Sequence, residues 1–298
     1  MTLSIPFFPY WSGAAELLVG RQQGFFEAEG VAVEQVDTEG GGGTIRSVLG
    51  GGANVAVDVG SFSALGAFRS QGQARIVGLT MGDAGDLFWF AGADSNYETL
   101  DDCTDARIGY SQSGSSTNMV AEAAISRLDA EDTAEAVAVG GTSANVTAVE
   151  TDEIDLGWSG FPYVTPRIDA GDFQRVFDGS EVPPFDGLTV RCNVCSEDWL
   201  SENGETAESF FTAYARARQW AYDNPSEAAS IWNETLQADY PDDDLAAGLQ
   251  EYYFGQPLAE FPRFDRTMEL AVQYGFLDEP LSEEERSTLI DTSYLPQS

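Results

Sequence analysis

Apolar and polar positions follow two rhythms along the first two thirds of the chain, one with the period of a strand and one with that of a helix. Leu3 to Phe8 is a short apolar run, Ala14 to Ala28 carries apolar residues at helical spacing, and Gly30 to Val36 alternates as a half-buried strand. The unit then repeats. Thr44 to Leu49, set between glycine turns, predicts a short helix, NVAVDV a strand, SFSALGAFRSQG a helix and ARIVGLTM a further strand. Strands alternating with helices predict a parallel sheet with crossover helices.

Between 85 and 112 two strand-like stretches, DLFWFAG and ARIGYSQ, flank the polar ADSNYETLDDCTD. The pattern restarts from there: GSSTNMVAEAAISRL predicts a helix opened by small polar residues, EAVAV a strand, TSANVTAVET a helix, EIDLGW a strand, and SGFPYVTPRID a short helix with Pro162 in its first turn. That makes a second α/β unit, of a size that suits a compact lobe. After Pro183 and Pro184 comes one more strand, GLTVRCNV, and then helix to the end. Asn224-Pro225-Ser226-Glu227 predicts a helix start with Asn as cap, and Ser282 with Glu285 a capping box. A helical block too thin in strands for its own sheet must pack on an earlier one, which returns the chain to the first lobe.

Composition changes the picture in three ways. No run of 18 or more apolar residues occurs, so no membrane span is expected, and residues 1 to 12 lack the basic start of a secretory signal; an exported form would have lost its leader. Fourteen basic residues, every one of them Arg, stand against fifty acidic ones, a net charge of −36 that argues against a nucleic-acid partner. The acids are scattered (Glu27, Glu29, Asp101, Asp102, Asp242 to Asp244, Glu283 to Glu285). They fit a surface adapted to high salt, where screening removes self-repulsion, or simply an acidic source. Three cysteines leave at least one unpaired. Cys192 and Cys195 sit in an alternating stretch, and an extended i, i+3 pair lies about 10 Å apart, too far for a disulfide, so reduced thiols are expected.

Four segments, taken in order, resemble the type II periplasmic binding proteins of ABC importers, in particular the nitrate, sulfonate and taurine binders and the related thiamine-precursor (pyrimidine) binders. GRQQGFFEAEGVAVE is similar to their opening helix, Gly-Phe-Phe and strand; ADSNYETLDDCTDARIGYSQSGSS to the turn and strand that lead into Gly-Ser at a helix start; EIDLGWSGFPYVTPRIDAGDFQRVF to a later strand and helix; and FFTAYARARQWAYDNPSEAASIW to an aromatic helix followed by Asn-Pro. Asp102-Cys103-Thr104-Asp105 departs from the family's Leu and Lys at that turn, outside the expected pocket. The resemblance implies two α/β lobes joined by two crossing hinge strands, residues 1–90 with 190–298 forming one lobe and 91–189 the other. It further implies a monomer outside the cytoplasm that binds a small-molecule solute without a cofactor or metal and delivers it to a permease.

In open α/β sheets the ligand-facing loops lie beyond the carboxyl ends of the strands. Four loops qualify. After the first strand, Tyr10 and Trp11 are candidates to stack on a solute, whereas Phe7 and Phe8 read as core. Asp58 and Ser61 follow NVAVDV; Asp58 suits a ligand amine or plain solvation, and Ser61 a ligand or a helix cap. Gly114, Ser115 and Ser116 open a helix whose free N–H groups and dipole make an anion site. Trp158 and Ser159 follow a strand of the second unit, with lobe packing as the alternative for Trp158. Arg191 suits an anionic ligand or a neighbouring carboxylate equally.

The chain contains no Lys and no His, which removes Ser-His and Cys-His nucleophiles, His metal sites and a Lys Schiff base. The pyrimidine synthase related to these binders needs both residues. The expectation is therefore a binder of an organic anion, a sulfonate or carboxylate, ahead of a thiamine-precursor pyrimidine; a ligand-sensing module and a carboxylate enzyme are the readings from other classes.

Overall fold

Strand β1 (Thr2–Pro6) starts a five-stranded sheet in the computed structural model, which describes residues 1–183, 185, 187–236, 240–253 and 257–296. The chain runs on through α1 (Ser12–Gln22), α2 (Phe25–Ala28), β2 (Glu34–Thr38), α3 (Gly41–Leu49), β3 (Val55–Gly60), α4 (Ser61–Gln71) and β4 (Ala74–Met81). The sheet order is β2-β1-β3, then β10 (Arg191–Ser196), then β4, with β10 antiparallel to both neighbours. β3, β4 and β10 are buried at every position, because helices cover both faces of the sheet.

The second lobe holds β5 (Leu87–Gly92), β6 (Arg107–Tyr110), α5 (Ser116–Arg127), β7 (Glu135–Ala138), α6 (Thr142–Glu150), β8 (Gly157–Gly160), α7 (Thr165–Asp169) and β9 (Phe173–Asp178). β5 pairs antiparallel with β8 and β9, and β6 pairs parallel with β7. A bridge between Ile108 and Leu156 brings the β6-β7 pair against the approach to β8. The chain crosses between the lobes twice, after β4 and again before β10. It ends in α8 (Glu197–Glu202), α9 (Gly204–Asp223), α10 (Pro225–Asn233), α11 (Asp242–Tyr252), α12 (Phe264–Gln273) and α13 (Glu283–Leu289). α9 and α10 pack on α1, α12 packs on α4, and Ile290 adds a bridge to Ile76 of β4. The late helices thus cover the first sheet.

Several local expectations need correction. The helix predicted over Ala14 to Ala28 is two helices, parted where Gly24 takes φ of 69°. The strand expected at Gly30 to Val36 runs Glu34–Thr38 and is largely exposed, since it is the sheet edge and carries Glu34 and Asp37. The helix expected to begin around Pro162 begins at Thr165, with Pro166 in its first turn; Pro162 sits in the turn after β8. Asn224 does not cap α10 through its side chain; its Nδ2 donates to the Trp220 carbonyl at 2.8 Å and closes α9. The Ser282 and Glu285 capping box forms. Cys192 and Cys195 lie in β10 as free, buried thiols, and burial pushes Cys192 up to about 12.

Candidate functional site

Three aromatic rings meet where the lobes face each other. Trp11 precedes α1, where its ring lies edge-on to Phe7 (5.8 Å between centroids) and to Trp158 of β8 (6.3 Å); Phe7 and Trp158 are 5.3 Å apart. Each indole is fixed by its own N–H. Trp11 Nε1 donates to the Asp58 carbonyl at 3.0 Å, and Trp158 Nε1 donates to the Gly140 carbonyl, also at 3.0 Å. Opposite the rings lies the start of α5. Ser115 is its N-cap, with Oγ accepting from the Asn118 N–H at 3.1 Å, and the Thr117 hydroxyl lies 2.9 Å from both Ser111 Oγ and Ser115 Oγ. No intrahelical acceptor reaches the first N–H groups of a helix, here those of Ser116 and Thr117.

Together these residues enclose a cavity of about 10 Å³, lined by Phe7, Trp11, Asp58, Gly60, Ser111, Ser115, Ser116, Thr117 and Trp158, with Pro6 and Gly41 at its margin. That is roughly the room of one water. A larger occupant needs the rings to turn or the lobes to part. Direct bonds span the two faces nearby: Ser63 Oγ donates to the Gly114 carbonyl at 2.7 Å, Gln112 Nε2 to the Glu39 carbonyl at 3.1 Å, and Tyr253 OH to the Phe161 carbonyl at 3.2 Å.

Beneath the cavity is a buried charge cluster. Asp58 adopts φ of 56°, accepts a hydrogen bond from Thr80 Oγ1, and pairs with Arg191 at 3.2 Å; the other arm of the guanidinium pairs with Asp86. The guanidinium also lies 4.5 Å over the Trp11 ring. Burial pushes Asp86 up to about 6 against the pull of Arg191. One Arg thus holds two carboxylates, and the open alternative for Arg191 resolves toward its own protein's acids.

Of the residues singled out in the sequence, Trp11, Asp58, Ser115, Ser116 and Trp158 line one cavity. Gly114 stands beside it, in a left-handed turn at φ of 81°, with its carbonyl taken by Ser63. Tyr10 is turned away and packs edge-on against Tyr163 at 4.8 Å. Ser61 is buried at the first position of α4, where Gly60 is the N-cap, and Ser159 is buried opposite Phe88 in the sheet with its hydroxyl bonded to the Gly160 carbonyl. Phe7, read as core, belongs to the cavity because its φ of 54° turns it out of the strand direction. Gly60 and Thr117 lie in the second and third of the four loops without having been singled out, and Ser111 was missed; Ser111 and Thr117 flank the Ser-Gly-Ser-Ser run and share its hydroxyl chemistry.

The family model described as NMT1/THI5 like matches residues 11–228, which include every lining residue except Pro6 and Phe7. The chain belongs to the NMT1/THI5-like family. No curated protein matches it in sequence. Among solved structures it is similar to the Candida albicans CA3427 gene product, described as having the generic periplasmic binding protein fold, with TM-score 0.81 at 14% identity over 100% of this chain and 98% of that one. It is also similar to the Escherichia coli periplasmic aliphatic sulphonate binding protein SsuA, with TM-score 0.71 at 13% identity over 96% and 91%. A third similar structure is the desulfurization enzyme DSZB, with TM-score 0.63 at 18% identity over 97% and 98%. At such identities the likeness establishes the fold: the chain has two α/β lobes of the periplasmic-binding-protein type.

Proposed function

We propose that this NMT1/THI5-like protein is the solute-binding component of an ABC importer, closing its lobes on a small organic anion outside the cytoplasm and handing it to a permease. The observation that carries the reading is the start of α5, with its outward N–H groups and the Ser111, Ser115 and Thr117 hydroxyls, facing the Phe7, Trp11 and Trp158 rings across the cleft. A helix N-terminus with added hydroxyl donors suits a sulfonate or carboxylate, and the rings suit its apolar or aromatic body. Arg191 offsets one of the two carboxylate charges it holds, Asp58 and Asp86, and so weakens their repulsion of an anion. The sulfonate binder among the similar structures supports the class. The moving units are taken as residues 1–90 with 190–298 and residues 91–189, with the first boundary moved back to precede β5, whose partners are β8 and β9, and the working form as a monomer.

A thiamine-precursor pyrimidine is the second reading, favoured by the Phe7, Trp11 and Trp158 rings of the cavity wall, which suit a planar ring. A binder is preferred to an enzyme although DSZB shares the fold, because the sequence offers no Lys or His for the usual nucleophilic and acid-base devices.

A thermal-shift screen at molar salt against methanesulfonate, taurine, benzenesulfonate, benzoate, nitrate and an aminopyrimidine tests this. A ligand at 100 times its dissociation constant stabilises by about 2.7 kcal/mol. A shift confined to sulfonates and carboxylates supports the proposal; a shift with the aminopyrimidine alone replaces it with the second reading.

A further inference from the structure

We infer that Gly60 sets how closely the two lobes can approach, so that a side chain of even one carbon at this position holds the clamp open. The inference rests on the clamp reading above and concerns a residue that takes no charge or hydrogen-bonding part in the cavity.

Gly60 ends β3 with φ of −57° and ψ of 133°, a conformation open to any residue, so its own backbone does not demand glycine. The demand comes from the other lobe. A Cβ built at Gly60 would lie 2.8 Å from the Ser116 nitrogen, 3.2 Å from the Gly114 oxygen and 3.2 Å from the Ser115 carbonyl carbon. All three are backbone atoms at the start of α5, so no side chain can rotate out of the way.

Neither partner is free to yield. Gly60 is held opposite Arg191 in the β3-β10 pairing, and the next N–H, of Ser61, donates to the Val190 carbonyl at 3.0 Å. The start of α5 is held by the Ser115 cap, by the Thr117 hydroxyl accepting from the Ser111 N–H at 2.9 Å, and by Asn118 Oδ1 accepting from the Gly114 N–H at 3.1 Å. With both backbones pinned, an added methyl must part the lobes. Elsewhere across the cleft the clash is softer: at Gly141 the nearest atom would be on the Phe7 ring and at Gly160 on the Trp11 ring, each at 3.2 Å. Gly92, with nothing within 4 Å of a built Cβ, is the control position.

The experiment is an interlobe distance measurement between spin labels at Glu29→Cys and Glu131→Cys, exposed sites in the two lobes, the native cysteines being buried. It is made in wild type, Gly60→Ala and Gly92→Ala, without solute and with methanesulfonate or benzenesulfonate. Overpacking of a fixed contact predicts that the short distance of this closed arrangement loses at least about tenfold in population in Gly60→Ala and is unchanged in Gly92→Ala. The melting temperature of Gly60→Ala should stay that of wild type, since each lobe accommodates the methyl once apart. A short distance kept by Gly60→Ala overturns the inference, as does its absence from wild type in every condition. Because the distance is read without solute as well as with it, a wrong solute class shows in the thermal-shift screen and leaves this result intact.

Discussion

Arg191 and Asp86 form a fully buried ion pair at the junction of the lobes, Arg191 at the first position of β10 and Asp86 immediately before β5. Asp86 is tied to the second lobe through its carbonyl, which accepts from the Phe161 N–H at 3.0 Å, and Arg191 to the first through its pairing with Gly60 and Met81. The same guanidinium holds Asp58, whose carbonyl holds the Trp11 indole. Removing the cation leaves two buried carboxylates facing each other. Arg191→Met should therefore lower unfolding free energy by about 3–5 kcal/mol in a urea titration near neutral pH, and a loss under about 1 kcal/mol would show the cluster to be energetically slack.

Two buried carboxyls give the protein a pH dependence of definite sign. Burial pushes Glu16 up to about 8 against the pull of Arg218, and Asp86 up to about 6. The folded protein then keeps protons that the unfolded chain releases. Stability from these groups is full below the unfolded values of 3.8 for Asp and 4.5 for Glu, and falls as pH rises through about 6 and then about 8. Glu16→Gln, which keeps one oxygen to accept from Arg218 and turns an amide N–H toward the Tyr214 hydroxyl, should flatten the upper part of that fall in melting curves taken across the range. An unchanged slope would contradict the assignment.

The Ser115 hydroxyl caps α5 and, in the proposed clamp, would also shape the end of the helix that meets the anion. Ser115→Ala should cost about 1 kcal/mol of stability, as lost caps do, and should weaken sulfonate binding beyond that. Thr117→Val leaves the cap bond in place but removes the hydroxyl shared with Ser111 and Ser115, together with the acceptor of the Ser111 N–H, so it tests binding with a stability cost of a different origin. Calorimetric titration with benzenesulfonate reads the difference, and wild-type affinity in both variants would move the anion away from α5.

With a net charge of −36, the surface repels itself at low ionic strength. Raising salt from about 0.1 M to about 1 M shortens the screening length from about 10 Å to about 3 Å, and the melting temperature should climb with it. A flat or falling curve would favour an acidic composition without adaptation to salt.

The sequence shows the fold where burial and period coincide. β3, β4 and α4 fall close to where NVAVDV, ARIVGLTM and SFSALGAFRSQG place them, since fully buried strands and strongly bounded helices carry their signal locally. β9 escaped because its burial skips: Phe173, Val176 and Phe177 are buried, and a register shift against β5 between Trp89 and Phe90 breaks the alternation. The site divides in the same way. Trp11, Ser115 and Ser116 are readable as loop aromatics and a helix start, whereas Phe7 enters the cavity by a left-handed backbone angle and Gly60 matters through a contact from another lobe. Both depend on tertiary placement that no local pattern encodes. Tyr10 shows the converse, a residue with the right chemistry turned toward Tyr163.

The central claim is a clamp that closes on an organic anion, and small-angle scattering through a titration with the sulfonate or carboxylate that gives the largest thermal shift tests it most directly. The account predicts that the radius of gyration falls as the solute saturates, because only the closed arrangement brings α5 and the Trp11 ring to the same occupant. Saturable, tight binding with no change in the scattering curve would contradict it.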